Sequence, residues 1–183
     1  MDFLTLMKTR ESCRAYDGRP AAREDMLKIV EAGRLAPSGC NAQPWHFILV
    51  DEEPALQNLR DALVVEGGGT GAPWRDQVKS YIIVVETPAK VMPMVITHYH
   101  DSQRFAQGDL AMAVLNMCYQ AVELGLSTCI LGINDQKKME AAFGIPEGYE
   151  VRMVLAVGYP AKEAAPREKI RKPLDEVLSF NQW

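Results

Sequence analysis

The ten-residue segment Ala36–Trp45 constrains this chain more than any other part of its sequence. It joins an amphipathic stretch, Arg23–Leu35, to an apolar run, Phe47–Val50, that is typical of a strand. Its two prolines stiffen the backbone, and its serine, asparagine and glutamine side chains offer hydrogen bonds at fixed positions. Such a loop forms either a rigid edge for a flat, hydrogen-bonding ligand or a buried turn between a helix and a strand. The segment alone leaves both interpretations open.

A second polar motif, Arg10-Glu11-Ser12-Cys13-Arg14, lies near the N-terminus. In an extended segment Arg10, Ser12 and Arg14 point to the same side, because successive side chains alternate. Two guanidinium groups and a hydroxyl on one side suit a phosphate, since arginine donates hydrogen bonds in pairs. A solvated basic turn is the alternative interpretation of the same motif.

The composition is that of an ordinary globular protein and excludes several classes. The chain has 183 residues, a single-domain length, and its formal net charge of -4 argues against a general nucleic-acid binder. No apolar run approaches the ~20 residues of a transmembrane helix, and Met1–Leu4 lacks the basic region of a signal peptide. The four cysteines are widely spaced without a Cys-x-x-Cys pair, so we expect free thiols in a cytoplasmic protein.

Neither a metal site nor a dinucleotide-binding loop is expected. In His98-Tyr99-His100-Asp101 the two histidines have a spacing that can hold a metal, but the stretch lies in a segment expected to be irregular and has no obvious further ligands. We interpret it as a surface loop or a lid on the substrate side. Gly67–Gly69 is not a dinucleotide fingerprint, because no strand leads into it. We interpret Glu66–Pro73 as a run that breaks both helices and strands.

Hydrophobic periodicity and the residues that begin or end helices predict a mixture of helices and strands. The predicted helices span Phe3 to about Thr9 with Asp2 as cap, Arg23–Leu35, Pro54–Val65, Phe105–Leu124 and Gln136–Phe143. The predicted strands are His46–Asp51, Ser80–Glu86, Ser127–Leu131 and Val151–Val157. Ser80–Glu86 is continuously apolar and is expected at the centre of the sheet, and Thr87–Arg104 is expected to be irregular. Phe105–Leu124 is apolar around most of its girth, which predicts a buried helix.

The C-terminal tail, from Ala161, is polar and interrupted by prolines, yet it ends in large apolar residues. These residues are Leu174, Val177, Leu178, Phe180 and Trp183. They are too apolar to remain in water as a free end. We therefore expect the tail to cover a surface, either on its own subunit or on a partner.

Taken together and in this order, the two polar motifs resemble those of the nitroreductase family of flavin enzymes. Further matches are Gly108-Asp109 at the start of a helix that contains Asn116, then Gly125–Gly132, Phe143–Pro146, Val154–Pro160 and Lys169–Leu174. The resemblance runs from about residue 3 to residue 178. It implies an α+β fold with a central mixed β-sheet flanked by helices, and an intertwined homodimer that exchanges its C-terminal tails. Residues 1–183 would form one domain, with about 65–105 as a candidate lid and 161–183 as a C-terminal arm.

The resemblance also implies which residues bind the cofactor, FMN, at the dimer interface. The residues that match the family's phosphate and ribityl contacts are Arg10, Ser12, Lys169 and Arg171. Arg14 matches a cation near the pyrimidine edge of the flavin ring. The loop along the ring, supplied in the family by the partner subunit, corresponds to Pro37, Ser38, Gly39 and Asn41. The turn whose backbone approaches flavin N5 corresponds to Leu131 and Gly132.

Two departures from the family pattern fall inside these motifs. Gly39 occupies a position where the family often has a small hydroxyl residue. Cys13 and Cys40 place thiols in the two motifs, and we interpret both as buried small residues rather than redox groups.

The activity implied by the resemblance is that of an FMN-dependent oxidoreductase with a ping-pong mechanism. NADH or NADPH would transfer hydride to flavin N5, and an electron-poor acceptor such as a nitroaromatic or a quinone would then take the electrons. No side chain is assigned as catalytic acid or base, since the hydride chemistry takes place on FMN. The alternatives are a specialised flavoenzyme on the same scaffold (a dehalogenase, flavin destructase or dehydrogenase) and a non-catalytic FMN-binding protein. Neither a nucleic acid nor a membrane is expected as a partner.

Overall fold

The structure, a computed structural model, describes residues 1–65, 73–162, 164 and 167–183. The helices in this part of the chain are α1 (Phe3–Thr9), α2 (Arg23–Arg34), α3 (Ala55–Ala62), α4 (Pro93–Tyr99), α5 (Ala106–Glu123) and α6 (Gln136–Phe143). The strands are β1 (Trp45–Val50), β2 (Ser80–Glu86), β3 (Ser127–Leu131) and β4 (Glu150–Gly158). The predicted breaker run around Gly67–Gly69 lies outside the described residues. No described helix is both long enough and apolar enough to cross a bilayer.

The four strands form one sheet in the order β1-β2-β4-β3. All three pairings between neighbours are antiparallel, whereas we expected a mixed sheet. Within the described residues, the parallel pairing recorded is an isolated bridge between Ser12 and Thr128. Burial patterns show which strands are central but not their direction, which is why the sequence could not distinguish the two arrangements. The α+β class, with helices flanking the sheet, is confirmed.

Strand β2 holds the centre of the sheet, as predicted, and all seven of its residues are buried. Because side chains alternate between the two faces of a sheet, Tyr81, Ile83 and Val85 point to one side and Ile82 and Val84 to the other. The first face packs against α3 and α6, and the second packs against α2 and α5. The domain core therefore consists of two apolar layers, one on each face of the sheet.

Helix α4 lies within the segment 87–104, which we predicted to be irregular. Pro93 does not interrupt the helix but occupies its first turn. A proline is tolerated there because its missing N–H has no intrahelical partner in any case. The helix ends at His100, whose backbone is left-handed with a φ of 53°.

Helix α5 is buried on one side only, which corrects the expectation of burial around most of its girth. Its buried side packs against α2, where Gly33 leaves room for the Met117 side chain: a Cβ at Gly33 would lie 2.2 Å from Met117 Cε. On the opposite side Met112 and Leu115 are 40% and 41% exposed. This side of α5 is an apolar helix face that no other described residue of the single chain buries.

The C-terminal tail leaves its apolar side chains in solvent in the single chain. A 3-10 turn at Leu174–Glu176 is its only element among the described residues. Leu174 is 70% exposed and Phe180 is 79% exposed. The structure therefore does not place the tail in a groove of its own subunit.

Candidate functional site

The N-terminal motif runs from the end of α1 along the edge of β3. The Cys13 backbone N–H donates to the Thr128 carbonyl at 2.8 Å, and the Cys13 side chain is buried. The neighbouring side chains point the other way: Ser12 is half-buried and Arg14 is exposed. Pairing with β3 thus turns the polar side of the motif outward.

Two adjoining cavities bring the N-terminal motif together with the C-terminal segment. Arg10, Lys169 and Arg171 line both cavities, so three cations from distant parts of the chain share one surface. The smaller cavity, of about 380 Å³, also contains Ser12. The larger, of about 610 Å³, continues onto an apolar surface that includes Leu4, Met7, Leu115, Tyr119 and Ile130. We call Arg10, Lys169 and Arg171 the cation cluster.

The end of helix α1 supports this cluster. The Lys169 ammonium donates to the carbonyl of Lys8, in the last turn of α1. Carbonyls in a last turn have no intrahelical partner and favour a cation. Arg10 caps the same helix, its N–H donating to the Leu6 carbonyl at 3.0 Å. The cluster is therefore assembled on a regular element rather than on loops alone.

The loop after α2, predicted to lie along a flat ligand, is held by its own polar side chains. Ser38 Oγ accepts from the Gln43 N–H at 3.0 Å, and Gln43 Nε2 donates to Asn41 Oδ1 at 3.2 Å. Three non-glycine residues adopt left-handed φ values: Cys40 at 55°, Asn41 at 53° and Gln43 at 47°. Such conformations are uncommon without local hydrogen bonds. We call residues 36–45 the ring loop.

Gly39 joins the ring loop to the start of α5. Both carboxylate oxygens of Asp109 accept from the Gly39 N–H, at 3.0 and 3.1 Å, and Asp109 is only 3% exposed. A Cβ at Gly39 would lie 2.6 Å from Phe105 Cδ2 and 2.8 Å from Phe105 Cβ. A side chain at this position would therefore collide with Phe105, which gives a physical reason for glycine here.

The structure does not bring the ring loop to the cation cluster within one chain. Gly39 lines a third cavity, of about 330 Å³, together with Phe105, Asp109 and Met112. This cavity shares no lining residue with the two that hold the cluster. Helix α5 contributes to both places, with Asp109 in its first turn and Tyr119 towards its end. Pro37, Ser38, Gly39 and Asn41 are thus separated from Arg10, Ser12, Lys169 and Arg171.

The turn after β3 offers open space. Leu131 is buried at the end of the strand, and Gly132 follows it at the surface. A Cβ at Gly132 would meet no described atom within 4 Å. A ligand therefore has access to this stretch of backbone.

The cysteines differ in their surroundings. Burial raises the pKa of the Cys118 and Cys129 thiols, and for Cys129 the nearby Arg14 guanidinium partly opposes that rise in pKa. Cys13 is buried, as expected, whereas Cys40 is exposed in the ring loop, which corrects the expectation for that residue. All four cysteines are free.

Sequence reasoning missed three residues of this region: Glu11, Arg167 and Asp109. Glu11 and Arg167 line the smaller cavity and bond to each other. The alternation of basic residues at 167, 169 and 171 was a signal that could have indicated Arg167. Asp109 was noted at the start of a helix, but nothing in the sequence connected it to Gly39.

One further cavity contains none of the predicted site residues. A cavity of about 370 Å³ lies between β1 and the end of α6, lined by residues that include His46, Ile48, Phe143 and Tyr149. Within the described ranges, no group of three or more His, Cys, Asp or Glu side chains is placed to hold a metal ion.

The sequence matches the profile of the nitroreductase family over residues 7–159, most of the chain. The chain belongs to the nitroreductase family. This confirms the resemblance carried by the two polar motifs and the segments that follow them.

Individual proteins show the same relationship. An Archaeoglobus fulgidus protein with the provisional name NADH dehydrogenase/NAD(P)H nitroreductase is 31% identical over 166 residues, which cover 88% of this chain and 87% of that protein. A nitroreductase family protein of Clostridium difficile 630 has a TM-score of 0.81 at 26% identity, covering 100% of both chains. A provisionally named nitroreductase of Exiguobacterium sibiricum, solved in complex with FMN, has a TM-score of 0.82 at 21% identity, covering 99% of this chain and 98% of that one. The nitroreductase fold is thereby confirmed.

Proposed function

We propose that this chain transfers hydride from NADH or NADPH, through FMN, to an electron-poor acceptor such as a nitroaromatic or a quinone, in a ping-pong sequence. Membership of the nitroreductase family makes it an FMN-dependent oxidoreductase that uses NAD(P)H. The observation that carries the proposal is the cation cluster, because Arg10, Lys169 and Arg171 meet at one surface although more than 150 positions separate Arg10 from the other two.

The chemistry of the cluster fits the phosphate of FMN. A phosphate monoester carries close to two negative charges, and its removal from water requires charged, hydrogen-bonding partners. The cluster supplies three cations, and Ser12 adds a hydroxyl at the smaller cavity. The adjoining apolar surface with Leu115 and Tyr119 suits the less polar part of such a ligand.

Each proposed site residue has a binding or orienting role. Arg10, Lys169 and Arg171 hold the phosphate, while Arg14 supplies positive charge beside β3, where a reduced flavin would carry negative charge. Gly132 has no side chain, so the backbone is open to close approach. When bound, FMN supplies the atom that accepts and releases hydride. We assign no side chain as acid or base, and solvent delivers the proton.

A homodimer would complete the site. In one chain the ring loop and the cation cluster lie apart, and the α5 face with Met112 and Leu115 is exposed together with the apolar tail. We propose that a second copy covers these surfaces, that its ring loop reaches the cluster, and that residues 161–183 cross over as an arm. Contiguous exposed apolar surfaces of this kind mark interaction sites in soluble proteins.

We retain the remaining expectations as proposals. Residues 1–183 form one domain in a cytoplasmic protein, and the segment 65–105 acts as a lid over the cofactor. In the described part of that segment, α4 exposes Met94, Ile96 and Tyr99, which would suit an aromatic acceptor.

The visible absorption spectrum of the purified protein tests the function directly. We expect a yellow protein whose flavin absorption bleaches under anaerobic conditions when NADH or NADPH is added, and recovers when a quinone is added. A yellow protein that neither nucleotide bleaches would contradict the reductase assignment. A colourless protein that fails to take up added FMN would overturn the whole proposal.

A double variant tests the phosphate assignment. We expect Arg10→Ala/Arg171→Ala to weaken FMN binding by about 3–6 kcal/mol, since each charge-assisted hydrogen bond is worth about 1.5–3 kcal/mol. Fluorescence titration measures the dissociation constant. The matched control, Arg19→Ala/Arg23→Ala, removes two arginines that pair with carboxylates elsewhere, and it should bind FMN as the parent protein does. Equal FMN affinity in the two double variants would contradict the assignment.

A further inference from the structure

Glu11 is an anion inside the cation cluster. Its side chain lines the smaller cavity beside Arg10, Lys169 and Arg171. A free carboxylate at that place would repel a phosphate, because like charges a few ångströms apart interact strongly near a partly buried surface. A chain that binds a phosphate there must neutralise Glu11 or turn it away.

Arg167 donates hydrogen bonds to both carboxylate oxygens of Glu11. The Arg167 Nε donates to Glu11 Oε1 at 3.0 Å, and the Arg167 backbone N–H donates to Glu11 Oε2 at 2.9 Å. The same guanidinium donates through Nη2 to the Ser12 carbonyl at 2.8 Å. These hydrogen bonds, the backbone one foremost, lower the pKa of Glu11, so the carboxylate stays charged and paired.

The three bonds also fix where the C-terminal segment lies. Arg167, Lys169 and Arg171 alternate along it, so anchoring Arg167 to the N-terminal motif sets the position of the other two. Lys169 makes the next attachment, at the carbonyl of Lys8. Ile170, between the two cations, is 89% exposed and contributes no burial. Polar bonds of this kind, rather than apolar packing, therefore hold this stretch against the cluster.

We propose that Glu11 and Arg167 form a latch, which positions Lys169 and Arg171 for the cofactor phosphate and at the same time neutralises Glu11. The other carboxylate that lines the smaller cavity, Glu168, is exposed to solvent, which screens its charge. The inference rests on the proposed function. Glu11 and Arg167 are positioning residues, since they act through the cations beside them. Exposed ion pairs contribute at most about 1 kcal/mol to global stability, so the latch should be visible mainly in phosphate binding and only as a small, pH-dependent contribution to unfolding.

Riboflavin, which lacks the phosphate, separates this role from a general structural one. We expect Arg167→Ala to weaken FMN binding by ~10–100-fold, the loss of about one charge-assisted contact, and to leave the dissociation constant of riboflavin unchanged. Arg23→Ala is the matched control, because Arg23 is also an exposed arginine paired with carboxylates, Asp51 and Glu52, away from the cluster. It should change neither dissociation constant.

A double-mutant cycle then tests whether Arg167 acts on FMN binding through Glu11. Glu11→Gln alone should alter FMN binding by less than ~3-fold, since the glutamine oxygen keeps one of the two hydrogen bonds from Arg167 and the uncharged amide does not repel a phosphate. In the Arg167→Ala background the same substitution should recover much of the lost affinity, because it removes a carboxylate that keeps its backbone hydrogen bond but has lost the guanidinium that neutralised it. A direct phosphate contact by Arg167, without a latch, would instead give the same effect of Glu11→Gln in both backgrounds.

A measurement without cofactor completes the test. In the apo-protein, amide hydrogen exchange at residues 167–171 should be faster in Arg167→Ala than in the parent protein, while exchange in β2 is unchanged. Parallel losses of FMN and riboflavin affinity, an unchanged FMN affinity in Arg167→Ala, or an additive cycle would each overturn the latch. A parent protein that binds FMN no better than riboflavin would overturn the phosphate site itself, and the latch with it.

Discussion

Replacing Gly39 with alanine puts a methyl group into a space that Phe105 already fills. The new Cβ would lie 2.6 Å from Phe105 Cδ2, 2.8 Å from its Cβ and 2.9 Å from its Cγ, whereas carbon atoms pack at about 3.5–4.0 Å. Phe105 cannot retreat easily, since its carbonyl accepts the first backbone bond of α5, from the Asp109 N–H at 2.9 Å. The ring loop must therefore move by up to about 1 Å.

That movement stretches the two bonds between the Gly39 N–H and the Asp109 carboxylate. Overpacking typically costs about 1–3 kcal/mol, and weakening a bond to a charged group adds up to about 1.5 kcal/mol. Alanine also lowers the conformational entropy of the unfolded chain, which stabilises the folded variant by about 0.4–1 kcal/mol. We expect Gly39→Ala to lower the free energy of unfolding by about 1–3 kcal/mol.

Urea unfolding of the apo-protein, at one fixed protein concentration, measures this loss. Gly108→Ala is the matched control, because Gly108 lines the same cavity but a Cβ there meets no described atom within 4 Å. Alanine should stabilise that helical position by up to about 1 kcal/mol. In Phe105→Ala the ring atoms are gone but Cβ stays, so the Gly39→Ala penalty should shrink without vanishing. A Gly39→Ala variant as stable as the parent protein would refute the packing account of Gly39.

Three other predictions concern the arm, the open turn and Glu11. Deleting residues 172–183 should convert the proposed dimer into a monomer in sedimentation velocity, and a truncated protein that stays dimeric would contradict the exchanged arm. Gly132→Ala should leave unfolding unchanged but weaken flavin binding by ~10-fold or more, since the methyl group enters space that we assign to the ring. Glu11 has a lowered pKa in the folded protein, so its stabilising contribution is full above the ordinary carboxyl pKa and is lost as the pH falls through the lowered value. Stability measured between about pH 6 and pH 3 should therefore fall less in Glu11→Gln, and identical slopes would count against the Arg167 interaction.

Local sequence signals were sufficient to predict most helices and strands of the fold. Asp2 accepts from the Thr5 N–H as an N-cap, and Gly144 ends α6 in a left-handed conformation, so both ends could be predicted from residue type. The strands Ser80–Glu86 and Ser127–Leu131 have the predicted bounds. Helix α4 was missed because the same residue, proline, ends a helix in its interior and begins one in its first turn.

Site residues could be predicted where polar residues alternate along the sequence, and could not be predicted where they meet through contacts between distant positions. Arg10 and Ser12 could be grouped from their spacing, and the structure places both at the smaller cavity. The contact between Gly39 and Asp109 spans 70 positions, and no sequence period links them. The same limit applies to Glu11, whose partner Arg167 lies 156 positions away. Nor did the sequence reveal that Cys40 is exposed, since the left-handed conformation it adopts in the ring loop is uncommon for a cysteine.

Helix α5 explains how one chain can hold two separated halves of a site in fixed relation. Asp109 in its first turn holds the ring loop, while Leu115 and Tyr119, about 9 and 15 Å further along the axis at 1.5 Å per residue, line the cavity of the cation cluster. A helix of 18 residues packed against α2 does not bend easily, so the two halves keep their distance within the chain. In the proposed dimer they meet when the exposed α5 face, with Met112 and Leu115, packs against a second copy. On this proposal, one helix carries both the apolar surface for association and the two separated parts of the site. A substitution such as Leu115→Glu should therefore disrupt the proposed dimer and FMN binding together.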